Sequence, residues 1–480
     1  MQSLEGGHTA IIVLAVIGYI AITSWLTVKL RSRNSSEFMS GGRATPAVVI
    51  GVLLMSEMIG AKSTIGVAQA AFDQGIAAAW AVASATLGFL LYGKFMAGRL
   101  HSSGEVTISG ALAQTYGRAT EKVVSLIMIY ALLLVNVGNY VSGAAAVSTI
   151  GHIGLETAAF LIAIVSTFYY ALGGMKSVAY ISLLHTSLKY IGVFILMGTA
   201  LYLSHGIGPV MASLPDYYFT VAGHVGWSDI IAFCIGNIGM IFSTQFIMQA
   251  IASTKDANAA RRASYIAGWL CLPLSVALGI IGVVAKYLWP NMKSLYALPV
   301  FMEHMNLPLE LIVSISLIAS VFLGVCTVAL AIASLVVRDF YVPYCKPTAE
   351  REMVVTRWLS ILIGFLPLIL VFFAPGLLKL SFFTRALRMS ISLIAMIGFY
   401  LPFLKSSRGA VWGLIASCAL TTVWYVMGDP FGINNMYVAL VTPLLVMALG
   451  RLFGWVGAEQ RQVTAQTASV PESGAPVRTS

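Results

Sequence analysis

Of the 480 residues, 59% are hydrophobic and only 10% are charged, while the formal net charge is +10. Such a composition excludes a soluble domain and marks an integral membrane protein. The positive charge does not require nucleic acid as a partner, because the basic residues fall between apolar segments, where they set topology and face anionic lipid.

A membrane-spanning helix needs about 20 apolar residues. About thirteen segments qualify, spans 1 to 13 in chain order: 9–29, 46–72, 75–98, 122–150, 155–173, 178–204, 228–251, 263–289, 308–337, 353–374, 377–404, 409–427 and 433–455. The short alternating runs of β-barrel strands are absent. The expected class is therefore an all-α integral membrane protein with about 13 transmembrane helices. Span 1 lacks a basic leader, and Lys29, Arg31 and Arg33 follow it, so it reads as a retained helix with the N-terminus outside. Alternate connections then hold Lys94, Arg99, Arg118 and Lys122; Lys176; Lys255, Arg261 and Arg262; Arg338, Lys346, Arg351 and Arg357; Lys405 and Arg408; and Arg451. The long connection 205–227, expected outside, has no Lys or Arg, and only Lys293 clearly sits in an outside connection. This positive-inside pattern predicts a cytoplasmic C-terminus and a bacterial-type inner (plasma) membrane location. The chain divides into a transporter domain, 1–457, and a polar tail, 458–480, expected to be disordered and cytoplasmic.

Span 2 is the most informative segment. It reads PAVVIGVLLMSEMIGAKSTIGVAQAAF, with Glu57, Gly60, Lys62 and Gly66 near its middle. A charge at the bilayer centre costs at least about 2.5 kcal/mol, so a lipid-facing helix would not retain it. Paired glycines beside the charge predict a helix that unwinds around a site, as transporters build at the membrane midplane. Lys62 and Ser63 are candidate solute contacts, the lysine aimed at a carboxylate or other anion; a structural pairing with Glu57 is the alternative for Lys62. Glu57 itself suits a proton carrier or a structural counter-ion.

Span 6 carries Ser182 and His185, then Lys189 two turns past Ser182 on the same face, near mid-span. Span 7, DIIAFCIGNIGMIFSTQFIMQA, has Gly236, Asn237 and Gly239 in its middle and is expected to break there. Two interrupted spans five helices apart have opposite orientation, which is the signature of an inverted repeat with a site between the broken helices. Span 11 adds Lys379, Arg385 and Arg388; the arginines are one turn apart and share a face. Several basic groups against one clear acid favour an organic anion as solute. Of the five cysteines, Cys234, Cys271, Cys326 and Cys418 lie within spans and Cys345 in an inside connection, with no metal spacing or outside disulfide pair. No nucleotide loop, nucleophile constellation or metal cluster suggests an enzyme or a bound cofactor.

The pieces FMSGGRATP before span 2, IG-x-x-x-x-IG within it, ALGGMKSVAYISLLH entering span 6, NIGMIFSTQFIMQAIASTKDANAARRA through span 7, VVRDFY after span 9 and FLKSSRGAVWG between spans 11 and 12 occur in an order that resembles the sodium:solute symporter family, which includes sugar, proline, pantothenate and sialic-acid transporters. The resemblance runs nearly end to end. It implies a leucine-transporter-like five-plus-five inverted repeat, about 46–204 and 228–404, with peripheral helices 1, 12 and 13. It also implies alternating-access cotransport of a small solute with a coupling cation, Na+ or H+. Family sodium is held by break carbonyls, mapping to Ser56 and Ile59, and by span-9 side chains, mapping to Ser320, Leu323 and Gly324. The usual hydroxyl pair is missing at the last two positions, and sodium, a hard cation, wants oxygen ligands. Ser182 and His185 stand where relatives often have an acid and a glutamine. In transporters of this architecture that do not use sodium, a lysine can stand in for the ion. Lys189 is placed to do so, alternately protonated and neutral, or else to pair permanently with Glu57. Asn237 resembles a solute-contacting asparagine of sugar members, with an interhelical hydrogen bond as its alternative. Val82 and Cys271 break the sugar pattern. A facilitator and a transporter-derived sensor are the competing classes.

Overall fold

The computed structural model describes residues 2–32, 34–151, 153–371 and 377–452. The expected tail, 458–480, lies outside the described residues, as do the side chains of Lys62 and Lys379. The described residues are helical throughout apart from connections and one isolated parallel bridge, Thr45 to Thr254.

Among the described residues, ten helices are long and apolar enough to cross a membrane, and eleven if the bent pair in span 2 is one span. The other two predicted segments are also helical: Leu155–Phe168 is apolar but short, and Leu377–Tyr400 carries Lys379, Arg385 and Arg388. Spans 5 and 6 run together as Leu155–Leu203, kinked at Gly174, whose φ of 66° and ψ of −171° lie in a region open only to glycine. A Cβ there would also meet Phe38 Cδ2 at 2.7 Å and Ser32 Oγ at 2.8 Å.

Burial orders the bundle. The stretch Leu307–Cys345, span 9 and its extension, has 94% of its most apolar window buried, against 22% for span 1 and 33% and 39% for spans 12 and 13. Span 9 is thus the central post, packed on spans 4, 5 and 6, while span 8, Ala257–Leu288, clasps both halves of span 2 and span 3. Spans 12 and 13 pack chiefly on each other, at the edge. The peripheral helices are apolar on their outer faces because lipid, not protein, meets them.

The end of the bundle bearing the basic connections is pinned by polar bonds. Gln245 accepts from Ile108 N at 2.9 Å and donates to Val106 O and Ser334 Oγ at 3.1 Å each. Asp339, at the end of span 9, accepts from Thr107, Ser109 and Ser125 hydroxyls. Together they tie the connection between spans 3 and 4 to spans 7 and 9.

Candidate transport site

Span 2 is two helices, Ala47–Met58 and Ala61–Gln74, bent by 50°. Ile59 (φ −107°, ψ 63°) and Gly60 (φ −76°, ψ 179°) leave the helix between them. Gly60 weakens the helix, but its backbone suits any residue, and a Cβ there would meet nothing closer than 3.9 Å. The break is stapled locally: Ser63 Oγ donates to Met58 O at 3.0 Å, and Thr64 Oγ1 to Gly60 O at 3.0 Å. Breaking the ladder frees the carbonyls of the preceding turn, which must find donors elsewhere.

Lys189 supplies them. Its ammonium donates to Ser56 O at 2.9 Å, Ser56 Oγ at 2.9 Å and Ile59 O at 2.5 Å. All three ammonium donors are used, and the side chain is 1% exposed. The two carbonyls are those that the sequence assigned to a cation. Among the described residues no ion pair joins Lys189 to Glu57, so the alternative of a permanent pair is not the arrangement found. Glu57 is half-buried and accepts a hydrogen bond from Thr327 Oγ1 of span 9. It lies within electrostatic reach of both Lys189 and Arg388.

The other expected coupling residues divide. Ser182 and Ser320 are buried with their hydroxyls turned back to Ala179 O at 2.6 Å and Ser316 O at 2.9 Å. His185 bonds through Nδ1 to the Tyr19 hydroxyl of span 1 at 2.5 Å. Gly324 O accepts from Asn139 Nδ2 at 3.2 Å and lies 3.3 Å from Thr327 Oγ1. Leu323 lines a small cavity beside His185. Thr327 was missed as a site residue because it sits one turn beyond the positions the family pattern marks.

Span 7 breaks elsewhere than expected. Gly236, Asn237 and Gly239 lie inside the regular helix Gly226–Ser243, and the chain leaves helical geometry at Thr244 (φ −68°, ψ 130°) before Gln245–Ala252. The two glycines serve packing instead: a Cβ on Gly236 would meet Met436 Cε at 2.7 Å, and one on Gly239 would meet Met389 Cγ at 3.1 Å. Asn237 donates to Ala81 O at 3.1 Å and Ser84 Oγ at 2.7 Å of span 3, while its buried Oδ1 has no partner among the described residues. Arg388 reaches the true break. Its Nη1 donates to Thr244 Oγ1 at 3.0 Å and its Nε to Thr384 O at 2.9 Å, with the side chain 3% exposed.

Two discontinuous helices, each held at its break by a buried cation from another span, with Glu57 within electrostatic reach of both cations, form the kind of arrangement from which transporters build midplane sites. The chain belongs to the sodium:solute symporter family, whose profile matches residues 38–417. It is 25% identical over 307 residues to the high affinity choline transporter 1 of Homo sapiens, covering 61% of this chain and 52% of that protein. It is 23% identical over 371 residues to the high-affinity proline transporter PutP of Bacillus subtilis (strain 168), covering 73% and 76%. The chain thus spans about half the length of the human choline transporter it matches. Its fold is similar to that of a Na+-coupled sialic acid symporter solved in a substrate-bound outward-open state, with a TM-score of 0.79 at 15% identity, covering 92% of this chain and 97% of that one. The family and these relatives are transporters, not enzymes.

Proposed function

We propose that this protein imports a small organic anion by alternating access and couples uptake to protons through Lys189. The observation that carries the reading is the ammonium of Lys189 on Ser56 O, Ser56 Oγ and Ile59 O. A sodium ion does not fit there while the ammonium does, because both compete for the same oxygens and Leu323 and Gly324 add no side-chain ligand. A lysine, unlike a metal ion, stays with the protein and exchanges only its proton. Protonated, it closes the span-2 break; neutral, it lets the break open. Arg388 supports an anionic solute: two nitrogens of its planar fork are committed to Thr244 and Thr384, which leaves Nη2, without a partner among the described residues, to meet the carboxylate of a solute. The inner-membrane location and the outside N-terminus follow from the charge pattern and belong to the same reading.

The test is thermal stability of the purified protein with carboxylates, amino acids, sugars, vitamins and choline, each in sodium and in N-methyl-D-glucamine chloride, at two pH values. A ligand at about 100 times its dissociation constant adds roughly 2.7 kcal/mol. Stabilisation by a carboxylate, equal in both salts and dependent on pH, is the expected result. Stabilisation that requires sodium refutes proton coupling, and choline as the stabilising solute refutes the anion assignment. Accumulation of the hit against its gradient in proteoliposomes excludes a facilitator.

A further inference from the structure

The inner end of span 11 is flanked by arginines from two other spans. The helix Leu377–Tyr400 stops at Leu401 (φ −124°, ψ 63°), and Pro402, which has no N–H to continue the ladder, follows. The last carbonyls of the helix therefore need donors from outside it. Arg99, at the end of span 3, gives its Nη1 to Phe399 O at 3.1 Å, and its guanidinium lies 4.3 Å from the centre of the Tyr400 ring. That ring is itself fixed: the Tyr400 hydroxyl donates to Phe95 O at 2.6 Å, and the two rings meet edge to face at 5.9 Å. Arg451, at the end of span 13, is held in the same way just beyond. Its Nη1 donates to Phe403 O, and its guanidinium lies 5.5 Å from the centre of the Phe403 ring.

Two more cations stand beside Arg99. Arg261 of span 8 lies against Gly98, where a Cβ would meet its Nε at 2.7 Å and its Cζ at 3.1 Å, so the missing side chain admits a second guanidinium. Lys94 lies 5.3 Å from the centre of the Phe95 ring. Lys94, Arg99, Arg261 and Arg451 are all exposed, and among the described residues none of them has an acidic partner. Carbonyls and aromatic faces orient a guanidinium without cancelling its charge, and they leave it further N–H donors. Topology requires only that basic residues lie on one side of the membrane, wherever their side chains point. Fixed, planar, like-charged groups gathered at one place go beyond that need and suit recognition of an anion. Hydrocarbon surface leads to the same place. Leu445, Leu449 and Leu452 form an exposed stripe along span 13 that ends beside Arg451, and Leu401 and Phe403 are exposed between the arginines.

We propose that this rim binds an anionic phospholipid, with its headgroup phosphate on Arg99, Arg261 and Arg451 and its acyl chains along Leu401, Phe403 and the leucine stripe of span 13. A water-soluble anion uses the arginines but not the hydrocarbon face. A zwitterionic lipid uses the face but brings a cation into a rim of cations. Only a lipid with a net negative head uses both. The bound lipid joins the ends of spans 3 and 8 to span 11 and to the peripheral span 13. The composition of the leaflet thus acts on the transporter at a place apart from the breaks held by Lys189 and Arg388. The inference depends on neither the solute nor the coupling ion.

The experiment is thermal unfolding of the full-length protein, delipidated in neutral detergent micelles and titrated with dioleoylphosphatidylglycerol, dioleoylphosphatidylcholine or inorganic phosphate. Phosphatidylglycerol should raise the unfolding midpoint saturably, while the other two leave it in place. Arg99→Gln and Arg451→Gln should each raise the phosphatidylglycerol concentration for half the shift by about tenfold, as for loss of one charge-assisted contact. Arg99→Lys, which keeps the charge but not the fork, should weaken binding less. Arg351→Gln removes the same charge from an exposed position in another basic connection and should change nothing. Equal weakening by Arg351→Gln overturns the site in favour of attraction to the basic side as a whole. An equal shift with inorganic phosphate overturns the lipid as occupant, and an equal shift with phosphatidylcholine overturns recognition of the charge. Should Arg99→Gln fail to fold, a wild-type titration in Arg451→Gln also overturns the proposal.

Discussion

Replacing Lys189 tests the site most directly, provided the right pair of variants is compared. Removing the ammonium has two opposed effects. It orphans Ser56 O and Ile59 O, and a buried unsatisfied carbonyl costs about 1–3 kcal/mol, so about 2–6 kcal/mol for both. It also relieves the desolvation of a buried ion, worth several kcal/mol. These terms are of similar size, so comparison with wild type does not isolate the hydrogen bonds. Lys189→Gln and Lys189→Met do isolate them. Both are neutral and similar in volume, and both lose the desolvation term. They differ in the amide, which can donate to one or both break carbonyls. The glutamine variant should therefore be more stable by about 1–3 kcal/mol for each carbonyl it recovers. The assay is equilibrium unfolding in mixed micelles at matched lipid, followed by tryptophan fluorescence. Equal stability, or a more stable methionine variant, refutes the view that Lys189 satisfies the freed carbonyls.

Other consequences can be checked on the same preparation. Lys189→Ala combined with Leu323→Thr and Gly324→Ser restores space and oxygen ligands at the break; it should gain stabilisation by sodium over N-methyl-D-glucamine that wild type lacks, and no gain would remove the break as an ion site. Arg388→Lys keeps the charge but cannot hold Thr244 and Thr384 together, so a stabilising carboxylate should bind about tenfold more weakly; unchanged affinity places the solute elsewhere. Gly174→Ala should lose about 1–3 kcal/mol or more from its positive φ alone, whereas Gly60→Ala at the break should be tolerated, and the reverse order in unfolding would contradict both geometries. Asp256, just before span 8, accepts the Ala259 N–H at 2.7 Å, and this bond holds its carboxyl below the ordinary 3.8. A depressed folded value means that its stabilisation is present at neutral pH and is lost as pH falls through the range below 3.8. Asp256→Asn should keep the cap and lose that acid step, while Asp256→Ala should be weaker at every pH tested.

Much of the fold could be read from apolar length alone, because every polar backbone group in a bilayer must be satisfied within its own helix. The break in span 2 announced itself through Glu57 in an apolar run. The break in span 7 did not. Glycine marks close packing and unwinding alike, and Gly236 and Gly239 turned out to admit Met436 and Met389. The actual break at Thr244 has no glycine; its conformation is held by Arg388 from span 11, a tertiary contact that no local pattern carries. Lys189 was visible as a mid-span charge, but its partners are mostly carbonyls, which every residue has, so only geometry could name them. Thr327 on Glu57 was hidden for a related reason: a helix face is known only within about a turn until its neighbours are in place.

The two buried cations are related by the architecture and differ in chemistry. Span 6 is the fifth helix of the first repeat and sends Lys189 to the break in that repeat's first helix. Span 11 is the fifth helix of the second repeat and sends Arg388 to the break in span 7. Position is thus conserved between the halves while the side chain changes. A guanidinium keeps its charge at any accessible pH, so Arg388 can fix the Thr244 break and hold an anion, but it cannot serve as a switch. An amine can lose its proton, and with it the charge and the third donor that draw Ser56 and Ile59 to one point. Exchanging the pair, Lys189→Arg with Arg388→Lys, keeps the net charge and reverses the roles. The exchanged protein should still bind a carboxylate weakly but should lose pH-driven accumulation, because its span-2 break would be closed by a cation that does not let go.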